Sequence, residues 1–163
     1  IMAKEKAHVT AAVRFLREKK VEFTEHPYQY VERGGTSTFA KQYHVDEHMV
    51  IKTLVMEDET GRPVIVLMHG DKEVSTKELA RILGVKKIGP SANPRKHSGY
   101  MIGGTSPFGT RRAMPVYMEE TVLDLPKIYI NGGRRGYLLA MDPHDIMKIL
   151  DAKTVKVGID ARR

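Results

Sequence analysis

Apolar residues recur along this chain at two periods, and the alternation between the two predicts a mixed architecture. Val9, Ala12, Val13 and Leu16 fall at helical spacing, so residues 7–19 read as an amphipathic helix. Residues 21–28 read as a strand broken by Pro27. Arg33-Gly34-Gly35-Thr36-Ser37 reads as a loop that caps a short helix over residues 38–43. The apolar runs 49–56 and 63–68 flank the turn Asp58-Glu59-Thr60-Gly61-Arg62, which predicts an antiparallel hairpin. Ser75-Thr76-Lys77-Glu78 is a capping box ahead of Leu79, Ile82 and Leu83 on one face, and Gly84 stops that helix. Residues 85–88 read as a short strand and residues 91–97 as a helical turn, while 115–118, 127–130 and 137–141 read as strands. Asp142 caps a last helix that Pro143 opens, with Ile146, Ile149 and Leu150 turned inward, and residues 155–159 close a sheet. Interspersed strands and helices with hairpin-like pairs predict an α/β (α+β-like) fold with one mixed sheet, not a doubly wound parallel one.

Length and composition narrow this picture. The 163 residues carry no internal repeat, low-complexity stretch or linker, so residues 1–163 are expected to form a single domain, large enough to bury a core without staples. No apolar run approaches the roughly 20 residues that span a bilayer. Val9 to Leu16 is interrupted by Arg14 and preceded by Glu5, which is not a signal-peptide pattern. The chain has no cysteine, which excludes a disulfide framework and a thiolate zinc site, and a cytoplasmic location is the default expectation. The net charge of +7 suits a polyanionic partner such as nucleic acid, and suits a merely solvated surface equally well. Basic residues are spread along the chain, with pairs at Arg111-Arg112 and Arg134-Arg135.

Two glycine-rich strings carry the most chemistry: Gly103-Gly104-Thr105-Ser106-Pro107-Phe108-Gly109 and Asn131-Gly132-Gly133-Arg134-Arg135-Gly136. Each follows an apolar run, Tyr100-Met101-Ile102 or Ile128-Tyr129-Ile130, and reads as a strand end opening into a loop. Paired glycines let a backbone approach a ligand and aim its N–H groups inward, so a cleft of main-chain donors for an anionic or ester-bearing ligand is expected. Each string reads equally as a tight structural turn. Neither is a P-loop or a dinucleotide fingerprint. Lys52, between Val50 and Leu54 on one strand face, reads either as a charge at the mouth of the core or as a gatekeeper on an edge strand facing solvent. Tyr28, Tyr30 and Phe39 are candidates for stacking a base or ribose, or for the core. His44 and His48 are four residues apart without an intervening metalloprotease glutamate, and surface histidines are the expectation. Ser106 is not in a nucleophile elbow, because the second glycine is missing. No metal and no cofactor are expected.

Taken in order, these pieces resemble one family, the YbaK and prolyl-tRNA-editing group of aminoacyl-tRNA deacylases. The matching residues are His26-x-Tyr28, Phe39, Ile51-Lys52-Thr53-Leu54, Ala80-x-x-Leu83-Gly84-x-x-Lys87, Gly99-Tyr100-x-x-Gly103-Gly104-x-Ser106-Pro107-x-Gly109, Ile128-Tyr129-x-x-Gly132-Gly133-x-Arg135-Gly136 and Ile149-Leu150-Asp151-Ala152. The resemblance covers nearly the whole chain. It implies one α/β domain with a mixed, partly barrel-like sheet and surrounding helices. It also implies hydrolysis of the ester joining a wrong amino acid to the 3′ end of tRNA. Cysteine on proline tRNA is the leading substrate it suggests, where the substrate's own thiol can attack the ester; alanine or another small amino acid is the alternative. A non-hydrolytic binder of aminoacyl-tRNA is the rival reading. The resemblance assigns catalysis to Lys52 and Gly103. It assigns substrate binding to Tyr28, Phe39, Thr53, Gly104, Thr105, Ser106, Pro107, Asn131, Gly132, Gly133 and Arg134. The implied partners are the tRNA acceptor end and prolyl-tRNA synthetase, with Arg111, Arg112, Arg134 and Arg135 as candidate phosphate contacts. Two positions depart from the best-known pattern: Asn131 stands where serine is expected and Leu138 where aspartate is expected.

Overall fold

The computed structural model describes residues 9–161. Helix α1, Ala11–Glu18, opens on Thr10, whose side chain accepts a hydrogen bond from the Val13 N–H at 3.1 Å. The same hydroxyl donates to the Gly132 carbonyl at 2.6 Å, so one cap residue starts the helix and pins it to a strand. The start expected at residue 7 lies outside the described residues. Ala12, Val13 and Leu16 are buried, on the stripe that the apolar spacing predicts.

The described residues form ten strands, most of them on expected runs with shifted ends; Lys72–Val74 was not expected, and the strand expected at residues 155–159 is two, Lys153–Val155 and Gly158–Asp160, in separate sheets. The ten are β1 Thr24–Pro27, β2 Val50–Asp58, β3 Pro63–His69, β4 Lys72–Val74, β5 Ile88–Pro90, β6 Val116–Glu119, β7 Ile128–Arg134, β8 Tyr137–Met141, β9 Lys153–Val155 and β10 Gly158–Asp160. The main sheet runs β1-β8-β7-β2-β3-β6-β9, with β5 also on β2, and β4 pairs with β10 separately. It is mixed: β2 is antiparallel to β3 and β5 and parallel to β7, and β6 is parallel to β3 and β9. The helices are α2 Gly35–Tyr43, α3 Thr76–Leu83, α4 Pro94–Ser98 and α5 Pro143–Leu150. Strand β3 is buried over its whole length, as a strand covered on both faces must be. One core cluster joins α1 and α5 to one side of the sheet through Leu16, Ile65, Phe108 and Ile146. A second packs α3 against Met56, Val66 and Val155.

The β2–β3 hairpin forms in the expected antiparallel sense, with Ile51 opposite His69 and Glu57 opposite Pro63. At α3 the Ser75 hydroxyl accepts from the Glu78 N–H. The capping box stops half-made: the Glu78 carboxylate turns to Arg81, and the Ser75 N–H donates to the Val157 carbonyl instead. Four further expectations need correction. Helix α2 begins at Gly35, not at residue 38, because Gly34 serves as its cap and Ser37 back-bonds to the Gly34 carbonyl. The strand expected at 85–88 lies at Ile88–Pro90. The apolar run Tyr100-Met101-Ile102 is not a strand; Met101 and Ile102 are 50% and 65% exposed. The second glycine string is not a loop after its strand, because β7 continues through Arg134 across a bulge between Asn131 and Arg134.

One break in the pairing matters most. Strand β3 covers one edge of β2 from Ile51 to Glu57. On the other edge β7 pairs only with Val50 and Ile51, and β5 only with Met56 to Asp58. Among the described residues no strand pairs with residues 52–55 on that edge, where only the Val55 carbonyl is met, by the Ser91 N–H at 3.0 Å.

Candidate functional site

The gap in the β2 edge is the floor of a cleft of about 600 Å³, into which Lys52, Thr53 and Leu54 face. A smaller lobe of about 270 Å³ shares Thr53, Leu54, Ile102, Gly103 and Thr105 with it and runs on toward Pro90, Ser91 and Pro94. Tyr28 and Phe39 form one wall, edge to face at 5.2 Å. Phe39 is fully buried and stacks on Tyr43 at 4.5 Å, so it serves the core and the cleft together. Burial pushes the Tyr28 phenol above its ordinary value, helped by Tyr30.

Lys52 is half-buried in a central strand, which removes the edge-strand gatekeeper reading. Its ammonium donates to the Lys72 carbonyl. Burial lowers its pKa from the ordinary lysine value, while Glu73, Glu47 and Asp71 pull it back up. An ammonium carries three donors, so this contact leaves donors for a ligand. Beside it the Thr53 hydroxyl is buried and, among the described residues, has no hydrogen-bond partner.

The opposite wall is the first glycine string, held by the second. Gly103 has φ +88°, and a Cβ there would lie 2.5 Å from the Tyr30 hydroxyl. Asn131 Nδ2 donates to the Gly103 carbonyl at 3.3 Å. The Asn131 Oδ1 accepts from the Gly133 and Arg134 N–H groups at 2.7 and 3.2 Å. One side chain therefore staples the β7 bulge and fixes the glycine wall. The Gly104 N–H is spent on the Met101 carbonyl at 2.8 Å. Among the described residues the N–H groups of Gly103 and Thr105 make no hydrogen bond, and both residues line the cleft. Such unspent main-chain donors are the chemical requirement for binding a polarised carbonyl or an oxyanion.

Of the residues singled out from sequence, Lys52, Gly103, Tyr28, Phe39, Thr53, Thr105 and Asn131 line the cleft together. Gly104, Ser106, Pro107, Gly132, Gly133 and Arg134 are not among the residues that line it. Ser106 is fully buried, and its hydroxyl accepts from the Phe108 N–H at 3.1 Å. The Arg134 guanidinium lies 4.1 Å from the Tyr137 ring. Arg112 donates to His97 at 3.1 Å, away from the cleft. Arg135 stands at the mouth, donating to the Ile102 carbonyl at 2.9 Å over the Tyr30 ring. Arg33, Thr36, Ile102 and Leu138 also line the cleft. Arg33 lies in a turn, as expected, while Thr36 is in the first turn of α2. Leu138 is packed among Phe39, Val50, Tyr129 and Ala140, an apolar setting that suits leucine where a carboxylate would be unpaired.

His44 is exposed and makes no cluster with His48, as expected of a surface histidine; His48 instead lies beside His69, and their ligand atoms and those of Asp71 lie within 4.8 Å of one another. Their rings stack in parallel at 3.6 Å, so their lone pairs do not converge on one point. Both His69 nitrogens are committed, to the His48 carbonyl and the Thr121 hydroxyl. This donor set does not form a metal centre as it stands.

Comparison with known proteins now bears on the site. A candidate Cys-tRNA(Pro)/Cys-tRNA(Cys) deacylase, EbsC of Enterococcus faecalis, is 26% identical over 160 residues, covering 96% of this chain and 98% of that protein. A proline–tRNA ligase of Thermodesulfovibrio yellowstonii is 35% identical over 65 residues, 40% of this chain and 11% of the ligase. Among solved structures, the hypothetical protein APE2540 superposes with a TM-score of 0.84 at 20% identity, over 91% of this chain and 99% of that one. A candidate trans-editing enzyme for prolyl-tRNA synthetase superposes with a TM-score of 0.78 at 20% identity, over 91% and 97%. These two likenesses establish the mixed α/β fold. No helix among the described residues is long and apolar enough to cross a membrane. The aminoacyl-tRNA editing domain model matches residues 34–149, from the cap of α2 through the cleft into α5, and the chain belongs to that family.

Proposed function

We propose that the cleft hydrolyses the ester of a mischarged aminoacyl-tRNA, with cysteine on proline tRNA as the leading substrate. Membership of the editing family fixes the reaction class, and deacylation of mischarged aminoacyl-tRNA is the activity of this chain. The observation that carries the mechanism is the pair of unspent N–H groups at Gly103 and Thr105, held by Asn131 in the cleft that Lys52 enters. Water, or the thiol of a cysteinyl substrate, attacks the ester carbonyl. The carbonyl oxygen takes up the negative charge and is met by the Gly103 and Thr105 N–H groups. Collapse breaks the acyl–oxygen bond, and the ribose oxygen leaves as a hydroxyl with the proton that the attacking water or thiol has given up. Lys52 anchors the terminal adenosine or its phosphate and supplies a positive field, so its part is positioning. Tyr28 and Phe39 offer aromatic surface to the adenine or ribose. The ester is labile enough that positioning and polarisation suffice. The name of the Enterococcus relative supports cysteine, and the ligase similarity supports prolyl-tRNA synthetase as the partner that supplies tRNA selectivity.

The test is deacylation of Cys-, Ala- and Ser-charged proline tRNA by the wild type and Lys52→Ala. The wild type should act fastest on the cysteinyl ester. Lys52→Ala should lose about 10- to 100-fold in kcat/KM, the loss typical of one charge-assisted contact. Equal rates for the two proteins would remove Lys52 from the mechanism. Salt-sensitive binding without turnover of any of the three would establish the non-hydrolytic binder instead.

A further inference from the structure

We propose that His97 is a positioning residue for this reaction, fastening the glycine wall to the strand that carries Lys52 and Thr53. The inference rests on the oxyanion reading of Gly103 and Thr105. The wall is the outer part of one closed loop, residues 98–111. Its ends meet where the Arg111 N–H donates to the Ser98 carbonyl at 3.0 Å and the Arg112 N–H to the His97 carbonyl at 3.1 Å. A compact loop with touching ends is held by its own interior. Here Phe108 is fully buried and stacks on Phe15 at 6.2 Å, and the Tyr100 hydroxyl donates to the Phe108 carbonyl. That interior gives the loop its shape. It does not say where the loop stands relative to β2.

The side chains at the neck do. His97 is 4% exposed, at the end of α4. Its Nε2 lies 2.8 Å from Glu57 Oε2, and its Nδ1 lies 3.1 Å from Arg112 Nη1. A guanidinium only donates, so Nδ1 is the acceptor and the ring proton sits on Nε2, donated to Glu57. The result is a directed chain from Arg112 through His97 to Glu57, and the Ser91 hydroxyl donates to the same Glu57 oxygen. Glu57 is in β2 at an even spacing from Thr53 and Val55, so the three share a strand face. The loop neck is thereby bolted to the rigid element that forms the cleft floor. Nothing in the chemistry of the ester uses this polar chain, whose central member His97 is buried, and hydrogen bonds that satisfy both nitrogens of a buried ring rigidify what they connect.

The test uses the full chain, with His97→Leu removing both hydrogen bonds and His97→Gln restoring them, since one carboxamide both donates and accepts. Cys-charged proline tRNA is the substrate. His97→Leu should lower kcat by about 10- to 100-fold with KM within about twofold, and His97→Gln should recover most of the loss. Amide hydrogen exchange at Gly104 and Arg111, whose N–H groups bond the Met101 and Ser98 carbonyls, should quicken at least tenfold in His97→Leu and return toward the wild-type rate in His97→Gln. Arg112→Met, at an exposed residue, should show the same pattern more weakly and serves if His97→Leu does not fold. A folded His97→Leu or Arg112→Met with unchanged kcat and unchanged exchange overturns the proposal, as does a loss confined to KM. If the wild type deacylates none of the charged tRNAs, the hydrolytic reading fails, and the exchange rates alone decide whether His97 positions the wall.

Discussion

Gly104 is the residue where the two glycine strings touch. An ideal Cβ there would lie 2.8 Å from the Arg134 carbonyl carbon and 2.9 Å from the Arg134 Cα and the Arg135 nitrogen. All three are backbone atoms, so a methyl group cannot be accommodated by turning a side chain. Gly104→Ala should therefore destabilise the fold by about 1–3 kcal/mol and lower deacylation further, by moving the Gly103 wall off β7. Gly89 supplies the control, because its Cβ would meet nothing within 4 Å. Denaturant titration of both variants checks this; equal midpoints for the two would mean that the strings do not bear on one another. The reasoning also explains why Gly104 matters without lining the cleft: it permits an approach and offers no group to the ligand. Ser106 behaves likewise, because its hydroxyl is spent on the Phe108 N–H.

Among the elements, β2 carries the site, and it does so where its own pairing lapses. Hairpin β2–β3, helix α3 and the Asp142–Pro143 start of α5 were legible because each rests on local rules: alternation, a cap residue and a fixed proline φ. The open edge at residues 52–54 was not legible. It depends on β7 and β5 meeting different ends of one strand, which is a long-range fact. For the same reason Lys52 looked equally like an edge residue. The continuation of β7 through Gly132 and Gly133 was hidden because paired glycines signal a loop, whereas Asn131 spends its side chain holding them in a bulge. The clasp between β2 and the 98–111 loop makes a pH prediction. Hydrogen bonds from Ser91 and then His97 hold the Glu57 pKa below its ordinary 4.5, with Lys96 adding to the same effect. A carboxylate lowered in the folded state contributes stability that is present above its ordinary value and lost as pH falls through the lowered one. Thermal melts from pH 6 to pH 3 should thus show the wild type above Glu57→Gln at pH 6, with the gap closing below about pH 4.5. A gap that stays constant across the range would mean that the clasp holds no ionised carboxylate.

At the scale of the whole molecule, the question is how a chain of net charge +7 grips a polyanion with basic residues scattered along it. The structure sorts the four arginines of the sequence reading. Arg112 is committed to His97, Arg134 lies on the Tyr137 ring, and Arg111 stands at the loop neck beside Gly99. Arg135 stands at the cleft mouth, where it is joined by Arg33 from the turn before α2. Both are exposed and both line the cleft that the proposed function assigns to the 3′ end. Each phosphate neutralised on a single strand releases counterions and steepens the dependence of log affinity on log salt by about 0.7. The double variant Arg33→Ala/Arg135→Ala should therefore lower the slope for uncharged tRNA by about 1.4, while Arg111→Ala leaves it unchanged. The affinity lost should be the same for proline tRNA and for a tRNA of another identity, because phosphate contacts carry no sequence information. Selection among tRNAs then falls to the amino acid in the cleft and to a separate partner. A slope that drops with Arg111→Ala and not with the double variant would place the acceptor end on the α4 side of the loop. A loss confined to proline tRNA would give this chain a base-reading surface of its own.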